Sequence, residues 1–409
     1  MSGLNIHVDP DELGFDAHRL SRIDEVFNEY VDRKQLAGWL ATVSRGGQLA
    51  YVGKGGHADR EADAPMQDDT IFRIYSMTKP ITSVAAMMLY EEGKFDLNDP
   101  AGKWIDSLKE SQVYVSGPPN NPTTRPATEP IRIWHLLSHM AGLTYGFTYM
   151  HNVDAIYRLK GYDWGAPKGS TLESAVDDWC TSPLVFNPGE AWNYSYATDV
   201  LGRLIEIWSG QTLDAFFEER ILNPLKMYDT AFWAPEEKHD RVAQLYVPVK
   251  GEAVAFGDLG KGAFHKPGWF SGGGGLVSTA HDYNRFLTMM LRGGELDGVR
   301  LLSPRTVSLM TENQLPGGRD LEETARDSFS ETEMAGVGFG LGFAVLLDRG
   351  RNRSSAANGL FTWGGAASTS FWIDPVEDLT VTFFTQLLPS STYPVRRILQ
   401  RAVYQALVD

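Results

Sequence analysis

The chain has 409 residues, of which 43% are hydrophobic and 22% are charged, and its formal net charge is −15 at pH 7. This length and composition exclude a disordered or fibrous protein and are typical of a globular protein with two or three domains, or with one domain that carries a large insertion. The negative charge argues against nucleic acid or an anionic membrane surface as a partner.

The start of the chain and its single cysteine bear on where the protein works. Residues 1–12 contain neither the basic nor the apolar segment of a signal peptide, and no later run reaches the roughly twenty apolar residues that cross a bilayer. Cys180 is the only cysteine, which excludes an internal disulfide and a multi-thiolate metal site. We therefore expect a cytoplasmic protein without a membrane partner, with Cys180 buried or half-buried in a helix.

Apolar periodicity and turn residues divide the chain into helices and strands. The predicted helices cover residues 16–33, 76–92, 131–139, 170–182, 197–209, 212–222, 280–292, a segment opened by Ser303 and Pro304, and 393–408. The predicted strands cover residues 39–44, 48–53, 70–74, 338–347, 360–363, 368–373 and 379–386. Strands at both ends of a helical middle predict an α/β (α+β) fold with a central antiparallel sheet. Residues 1–95 and 270–409 would form the α/β domain, and residues 96–269 a mainly helical inserted domain with lid loops.

Local sequence signals set several of these boundaries. Ser170 and Glu173 form the pattern of a helix capping box, and the two glycines at 46–47 predict a hairpin. The Pro-rich and Asn-rich residues 116–126 fit neither a helix interior nor a central strand, so they predict a long surface loop. The aromatic-rich segment that leads to Trp164 predicts a lid or a pocket wall.

A serine and a lysine stand three residues apart at the start of the second predicted helix. Pro80 fits only in a first helical turn, so this helix begins close to Ser76. Residues i and i+3 of a helix share a face, so Ser76 Oγ and Lys79 Nζ can meet. A lysine whose pKa is lowered by burial or by the helix N-terminus can act as the base that activates a serine. The alternative is a surface serine beside a solvated lysine.

Two further segments carry candidate site residues. Residues 187–196 place Tyr194 after a Pro-Gly turn and just before a helix, and a tyrosine beside a lysine can shuttle a proton. The alternative for Tyr194 is a buried aromatic residue with a satisfied hydroxyl. Residues 363–365, Trp-Gly-Gly, end a strand, where two glycines would let the backbone approach a ligand closely. The alternative there is an ordinary bulge.

In this order and at these separations, the three segments resemble the penicillin-recognising serine hydrolases. Within them, the chain is similar to the class C β-lactamase-like esterases called family VIII carboxylesterases. Residues 76–79 match the family's S-x-x-K, residues 194–196 its Y-x-N or Y-S-x element, and residues 363–365 the place of its K-T-G. Residues 136–143 also resemble a recurrent structural stretch of that family, and the resemblance spans nearly the whole chain from about Phe15.

The resemblance implies a β-lactamase/transpeptidase-like fold and serine hydrolase chemistry without a cofactor or a metal. It implies Ser76 as the acylated nucleophile, Lys79 and Tyr194 as the base and proton relay, and the backbone N–H groups of Ser76 and Ala366 as the oxyanion hole. The residues expected to contact the substrate are Tyr75, Tyr196, Trp363, Gly364 and Gly365.

Two departures from the family pattern, and the weakness of other motifs, narrow the expected chemistry. Tyr196 stands where β-lactamases carry an amide side chain and Trp363 where they carry a lysine, and both changes favour an esterase. His135 and His139 have helical spacing but lack the glutamate of a zincin, so a metal site is not expected. The chain has no Gly-x-Ser-x-Gly elbow. The four glycines at 272–275 lack the Lys-Ser/Thr of a P-loop and fit a tight turn beside the cleft.

We therefore expect a serine carboxylesterase that acts on short-chain, small-molecule esters as a monomer or homodimer. The aromatic residues that favour an apolar pocket are Tyr145, Phe147, Tyr149, Tyr157, Tyr162 and Trp164. Two alternatives stay open. One is a β-lactamase, D-aminopeptidase or acyltransferase of the same superfamily, and the other is a non-catalytic binding protein with a penicillin-binding-like fold.

Overall fold

The computed structural model describes residues 4, 6, 8–326 and 328–409. Its strands are β1 Gly38–Arg45, β2 Gln48–Asp59, β3 Ala64–Pro65, β4 Phe72–Arg73, β5 Gln112–Ser116, β6 Thr123–Pro126, β7 Tyr246–Val249, β8 Glu252–Ala255, β9 Val277–Ser278, β10 Glu295–Leu296, β11 Val299–Arg300, β12 Val337–Phe339, β13 Ala344–Leu346, β14 Phe361–Gly364, β15 Ser370–Asp374 and β16 Leu379–Phe384. Its α-helices are α1 Ala17–Leu20, α2 Arg22–Asp32, α3 Thr78–Glu91, α4 Ile133–Leu137, α5 Asn152–Leu159, α6 Leu172–Cys180, α7 Ala197–Ser209, α8 Leu213–Phe217, α9 Gly257–Gly260, α10 Ala280–Leu291, α11 Pro304–Met310, α12 Leu321–Thr324, α13 Arg349–Asn352 and α14 Val395–Tyr404.

One antiparallel sheet organises these elements, with the strand order β12-β13-β14-β15-β16-β1-β2-β3. Strand β16 pairs with β1, so the last strand of the chain lies beside the first, and Thr382 is opposite Thr42. The predicted β1–β2 hairpin is confirmed, since both glycines at its turn have positive φ angles that other residues rarely adopt. The two ends of the chain therefore complete a single sheet.

The two faces of the sheet pack against different helices because successive side chains of a strand point to opposite faces. On one face, Phe371 of β15 contacts Tyr283 of α10, with ring centroids 5.3 Å apart. On the other face, the neighbouring Trp372 stacks on Tyr404 of α14. Trp363 of β14 is paired with Phe371, so its side chain belongs to the α10 face. The end of β14 therefore points its indole toward the helical part of the molecule.

The helical middle of the chain shares its core with the sheet. Helix α3 packs against α7, and one contiguous apolar cluster includes Trp39 of β1, Leu201 of α7 and Phe383 of β16. Cys180 is buried in α6, as predicted. No helix within the described ranges combines the length and the apolar run that crossing a membrane requires. The proposed boundaries at residues 95/96 and 269/270 stay a prediction.

Two predicted elements are each broken into two shorter ones. The helix predicted over 16–33 is interrupted at Ser21, whose hydroxyl donates to the carbonyl of His18 and so competes with regular helical bonding. The strand predicted over 338–347 is two strands, β12 and β13, joined by a turn in which Gly342 has a φ of +98°. Periodicity alone does not show where a turn interrupts an apolar run.

Two local predictions were wrong in detail. Thr171 and Ser174, rather than Ser170 and Glu173, exchange the capping hydrogen bonds at the start of α6, because the Ser170 hydroxyl donates instead to the carbonyl of Pro167. The loop predicted over 116–126 is the tip and one strand of an exposed two-stranded ribbon, β5–β6. A two-stranded ribbon has only edge strands, so it tolerates the prolines that a central strand excludes.

Candidate active site

Ser76 and Lys79 meet where the chain passes from β4, which pairs with β9, into helix α3. Ser76 lies in a single 3₁₀ turn, Tyr75–Met77, and Lys79 lies in the first turn of α3. Lys79 Nζ donates a hydrogen bond to Ser76 Oγ over 3.3 Å. Ser76 keeps 9% of its surface exposed and Lys79 only 2%, so the serine can be reached from outside while the lysine is enclosed. The predicted juxtaposition of the hydroxyl and the amine is present.

The turn that presents Ser76 is held in an uncommon backbone conformation. Tyr75 has a φ of +42°, which costs a non-glycine residue free energy unless its surroundings enforce it. Two hydrogen bonds fix the turn, one from the Ile74 N–H to the carbonyl of Leu276 and one from the Tyr283 hydroxyl to the carbonyl of Met77. Strain of this kind is common where a reactive side chain must be presented.

Burial sets the charge of Lys79. Removal of the ammonium group from water lowers the pKa of Lys79 to about 7, and the carboxylates of Asp199 and Glu331 only partly oppose this effect. Lys79 Nζ also donates to the carbonyl of Gly273 over 2.6 Å and lies 4.5 Å from the centre of the Tyr194 ring. A lysine with this pKa is partly neutral at pH 7, which a base requires.

The Tyr194 hydroxyl lies between Ser76 and Trp363. Burial raises the pKa of Tyr194 well above its ordinary value, and Glu331 raises it further, while hydrogen bonds with Ser76 and Trp363 oppose the shift. The Trp363 indole N–H donates to the Tyr194 hydroxyl over 3.2 Å. These effects together favour the neutral phenol form of Tyr194.

Trp363 was expected to contact the substrate, but the structure buries its indole ring. Trp363 is 1% exposed, and its ring packs against Tyr194 and Phe339 with centroid distances of 5.3 Å and 5.2 Å. The indole is buried because it belongs to the sheet face that packs on the helices. Trp363 therefore contacts Tyr194 rather than open solvent.

The two glycines after Trp363 bring the strand end against the nucleophile turn. A Cβ on Gly365 would overlap the carbonyl oxygen of Ile74, so only glycine permits this approach. Ala366 follows, and it packs with Tyr75 on the same small apolar cluster of Leu245, Ala367 and Leu388. The residues predicted to form the oxyanion hole, Ser76 and Ala366, thus lie on two segments that touch.

An arginine on α14 holds the same strand end from the other face of the sheet. Arg396 lies where a Cβ on Gly364 would be, donates to the carbonyls of Gly365 and Thr369, and also donates to the carbonyl of Glu331. Its guanidinium pairs with the buried Glu331 carboxylate over 2.7 Å. The charge of Arg396 is therefore already neutralised. A cavity of about 430 Å³ lies beside this pair, and Ser76, Lys79 and Tyr194 do not line it.

Aromatic rings form one wall beside the site. Tyr145 lies 5.4 Å from Lys79 Nζ and stacks on Phe147, which stacks in turn on Trp164. Tyr196 is 8% exposed and stacks flat on Trp179. Its ring packs edge-on against Tyr145, so Tyr145 lies between Tyr196 and Lys79. Of the six aromatic residues expected to favour an apolar pocket, Tyr145, Phe147 and Trp164 form this row, Tyr157 and Tyr162 are buried, and Tyr149 is 64% exposed. That they line a substrate pocket stays a prediction.

Three contributors to the site were not identified from the sequence. Asp199 and Glu331 are buried carboxylates whose charges act on Lys79, and Ser328 accepts a hydrogen bond from the Tyr194 N–H. An aspartate in the first turn of a helix, as Asp199 is in α7, is ordinary and gives no functional signal in the sequence. Ser328 and Glu331 lie in a segment without regular structure, which periodicity cannot place.

The two histidines considered as metal ligands have other partners. His135 Nδ1 accepts a hydrogen bond from the backbone N–H of Arg132, and His139 lies against the Tyr194 ring with its Nδ1 3.3 Å from the Ser195 hydroxyl. Burial and the charge of Lys79 hold the pKa of His139 well below its usual value. Across residues 8–326 and 328–409, no three histidine, cysteine, aspartate or glutamate side chains converge as metal ligands would.

Comparison with known proteins identifies relatives of this chain. The beta-lactamase family profile matches residues 23–405. Protein Rv1367c of Mycobacterium tuberculosis is 36% identical over 367 residues, which cover 88% of each chain. Esterase EstB of Burkholderia gladioli is 30% identical over 416 residues, covering 97% of this chain and 98% of its own.

A solved structure extends the comparison to the fold. EstCE1, described as a hydrolase with promiscuous acyltransferase activity, superimposes with a TM-score of 0.81 at 26% identity and covers 97% of this chain and 99% of its own. The predicted β-lactamase/transpeptidase-like fold and the expectation of an enzyme are thereby confirmed. The chain belongs to the beta-lactamase family of serine hydrolases.

Proposed function

We propose that this protein is a serine carboxylesterase that hydrolyses short-chain, uncharged esters through an acyl-enzyme on Ser76. The observation that carries the proposal is the hydrogen bond from Lys79 to Ser76 in a site where burial lowers the pKa of Lys79 to about 7. A neutral amine at this place can accept the serine proton at physiological pH. Similarity to Esterase EstB over nearly the whole chain supports the choice of esters.

In the first half of the reaction, neutral Lys79 takes the proton of the Ser76 hydroxyl while Ser76 Oγ attacks the ester carbonyl carbon. The electron pair of the C=O bond moves onto its oxygen, and the N–H groups of Ser76 and Ala366 stabilise that charge. The tetrahedral intermediate collapses by breaking the C–O bond to the alcohol. The leaving oxygen takes a proton from the Lys79 ammonium by way of the Tyr194 hydroxyl, which hydrogen-bonds with Ser76.

In the second half, water replaces the alcohol. Neutral Lys79 accepts a proton from the water through the same hydroxyl network, and the water oxygen attacks the acyl carbon. When the second tetrahedral intermediate collapses, the bond to Ser76 Oγ breaks and the proton returns to Ser76. The acid is released and Lys79 is neutral again, so the cycle needs no cofactor or metal.

The charges around β14 favour a neutral substrate. Trp363 places a buried indole where a β-lactamase would carry a lysine, and the indole N–H is already used by Tyr194. Arg396 reaches the same strand end but is paired with Glu331. A substrate carboxylate here would lack a charge-assisted hydrogen bond, which is a loss of about 1.5 to 3 kcal/mol, or roughly ten- to a hundredfold in binding.

Acyl transfer to another alcohol is the second candidate, because EstCE1, described as having promiscuous acyltransferase activity, shares this fold over 97% of the chain. The acyl-enzyme would be the same, and an alcohol would replace water in the second half of the reaction. An experiment with added alcohol therefore distinguishes the two functions. A high ratio of new ester to free acid indicates acyl transfer, and a low ratio indicates hydrolysis.

A comparison of two substrates on one preparation tests the proposed function. We expect ready hydrolysis of an aryl acetate, and slow or undetectable opening of the lactam ring of a chromogenic cephalosporin. The control is the Ser76→Ala variant, which should lose both activities. Release of only the acetyl side group of the cephalosporin would agree with an esterase. Efficient cleavage of the lactam amide bond would show instead that the protein is a β-lactamase.

A further inference from the structure

A buried carboxylate lies behind the proposed base. Asp199 is 1% exposed and sits in the first turn of α7, five residues after Tyr194. Its Oδ1 accepts hydrogen bonds from the Ser271 hydroxyl over 2.6 Å and from the Gly273 N–H over 3.0 Å. The proposed reaction cycle assigns no role to Asp199. Because burying a carboxylate charge costs free energy, the position of Asp199 needs an explanation.

Asp199 is connected to Lys79 through one glycine. The Gly273 N–H donates to Asp199, and the Gly273 carbonyl accepts the hydrogen bond from Lys79 Nζ over 2.6 Å. A Cβ on Gly273 would overlap the Asp199 carboxylate, so the fit requires glycine. The Thr82 hydroxyl holds the preceding Gly272 carbonyl over 2.7 Å. Hydrogen bonds to Thr82 and Asp199 thus fix the turn of four glycines on both sides, and the Gly273 carbonyl points toward Lys79 Nζ.

We propose that Asp199 is a positioning residue for Lys79, which holds the Gly273 carbonyl on the amine and supplies the negative charge that lets Lys79 carry a proton in a site closed to water. The inference rests on the proposed role of Lys79 as base. Its consequence is that Lys79 can both accept the serine proton and release it to the leaving group. Without a nearby anion, the buried amine would be a poor acceptor.

The other charged and titratable groups around Lys79 do not replace Asp199. Tyr145 and Tyr194 present ring faces, and burial raises the pKa of both hydroxyls well above their usual values. His139 is neutral, because burial and Lys79 lower its pKa. Glu331 is the remaining anion that acts on Lys79, and its charge is shared with Arg396. Asp199 has no cationic side-chain partner other than Lys79 among the described residues that act on it.

Electrostatics fixes the sign of the expected change. Burial is the first cause that lowers the pKa of Lys79, and Asp199 is the first that raises it. Loss of the carboxylate charge therefore lowers the pKa of Lys79 further. Burial in turn raises the pKa of Asp199, and the Lys79 charge opposes that shift. The two groups stabilise each other's charged form across the closed site.

The decisive experiment is the pH profile of kcat/KM for an aryl acetate in the Asp199→Asn variant. We expect the midpoint of the ascending limb to move down by about one pH unit, and kcat on the plateau to fall roughly tenfold or more. A role confined to folding would reduce the amount of active enzyme without moving the midpoint. An unchanged midpoint in folded Asp199→Asn protein overturns the inference.

Two further variants keep the test interpretable. The matched control is Asp374→Asn. Like Asp199, Asp374 is a buried carboxylate that accepts hydrogen bonds from a hydroxyl, that of Tyr404, and from backbone N–H groups, but Asp374 lies on the α14 side of the sheet. The Asp374→Asn variant should keep the wild-type midpoint, and an equal shift there would refute a specific role for Asp199.

If Asp199→Asn does not fold, Gly273→Ala separates Asp199 from the turn and should lower both the midpoint and kcat. An unchanged midpoint and kcat in Gly273→Ala would overturn the inference equally.

Failure of this inference is distinguishable from failure of the proposed function. If the wild type forms no acyl adduct on Ser76, the proposed function fails first. If the wild type is acylated on Ser76 and folded Asp199→Asn has the wild-type pH profile, only the role of Asp199 is wrong.

Discussion

At the scale of single residues, the proposed role of Lys79 as base makes activity depend on the charge of its amine. Burial lowers the pKa of Lys79 to about 7, so the neutral amine is the minor form below this pH and the major form above it. We expect kcat/KM for an aryl acetate to rise about tenfold per pH unit below pH 7 and to be level above it. If kcat/KM kept rising toward pH 10, Lys79 would behave as an ordinary exposed lysine. If kcat/KM fell above pH 7, the ammonium form of Lys79 would be the one that the reaction requires.

The hydrogen bond from Trp363 to Tyr194 would make the indole a positioning residue for the proposed relay. In Trp363→Phe an aromatic ring remains but the donor is lost, and a neutral hydrogen bond contributes about 0.5 to 1.5 kcal/mol. We expect kcat to fall roughly two- to tenfold, with KM for an aryl acetate little changed. Trp372→Phe is the matched control, since it removes a buried indole on the neighbouring strand that faces α14. Equal kcat values in both variants would contradict the role.

The side-chain types of the site were predictable, but several of their roles were not. Ser76, Lys79 and Tyr194 could be proposed because a helical i, i+3 spacing and a turn before a helix are local features. The role of Trp363 depends on which face of β14 packs on the helices. This is set by the packing of its pairing partner Phe371 against Tyr283 of α10, a helix far from β14 in sequence. Asp199 acts through Gly273, and no local pattern connects residues so far apart in sequence.

At the scale of elements, the contact between β14 and the turn that carries Ser76 builds the proposed oxyanion hole. In Gly365→Ala the added methyl group overlaps the Ile74 carbonyl, so the two segments must separate. Loss of one oxyanion donor typically costs about 10²- to 10³-fold in kcat, and we expect a fall of that order. Gly262→Ala is the control, because a Cβ there meets open space. A near-normal kcat in folded Gly365→Ala would refute this position of the oxyanion hole.

Long, regular elements could be predicted better than short or interrupted ones. The helix over Ala197–Ser209 and the strands β1 and β16 agree with their predicted places to within two residues. Strand β2 begins where predicted but extends to Asp59 rather than ending at Gly53. The ribbon β5–β6 and the turn between β12 and β13 depend on edge pairing and on the conformation of a glycine. Both are tertiary choices that a sequence pattern does not fix.

At the scale of the whole molecule, β16 closes the sheet against β1, and the helical middle shares its core with that sheet. Strands at both ends of a helical middle predicted an α/β fold with a central antiparallel sheet. The order of the strands, with β1 beside β16, follows from packing between segments far apart in sequence. The cytoplasmic location and the monomeric or dimeric state stay predictions.

The central claim is that Ser76 is the residue acylated during turnover. The most direct measurement is mass spectrometry of the intact protein and of its peptides after reaction with a fluorophosphonate or an activated ester. We predict one adduct per chain, located on Ser76 and absent from the Ser76→Ala variant. A folded wild-type protein that forms no adduct, or that carries it on another serine, would contradict the account.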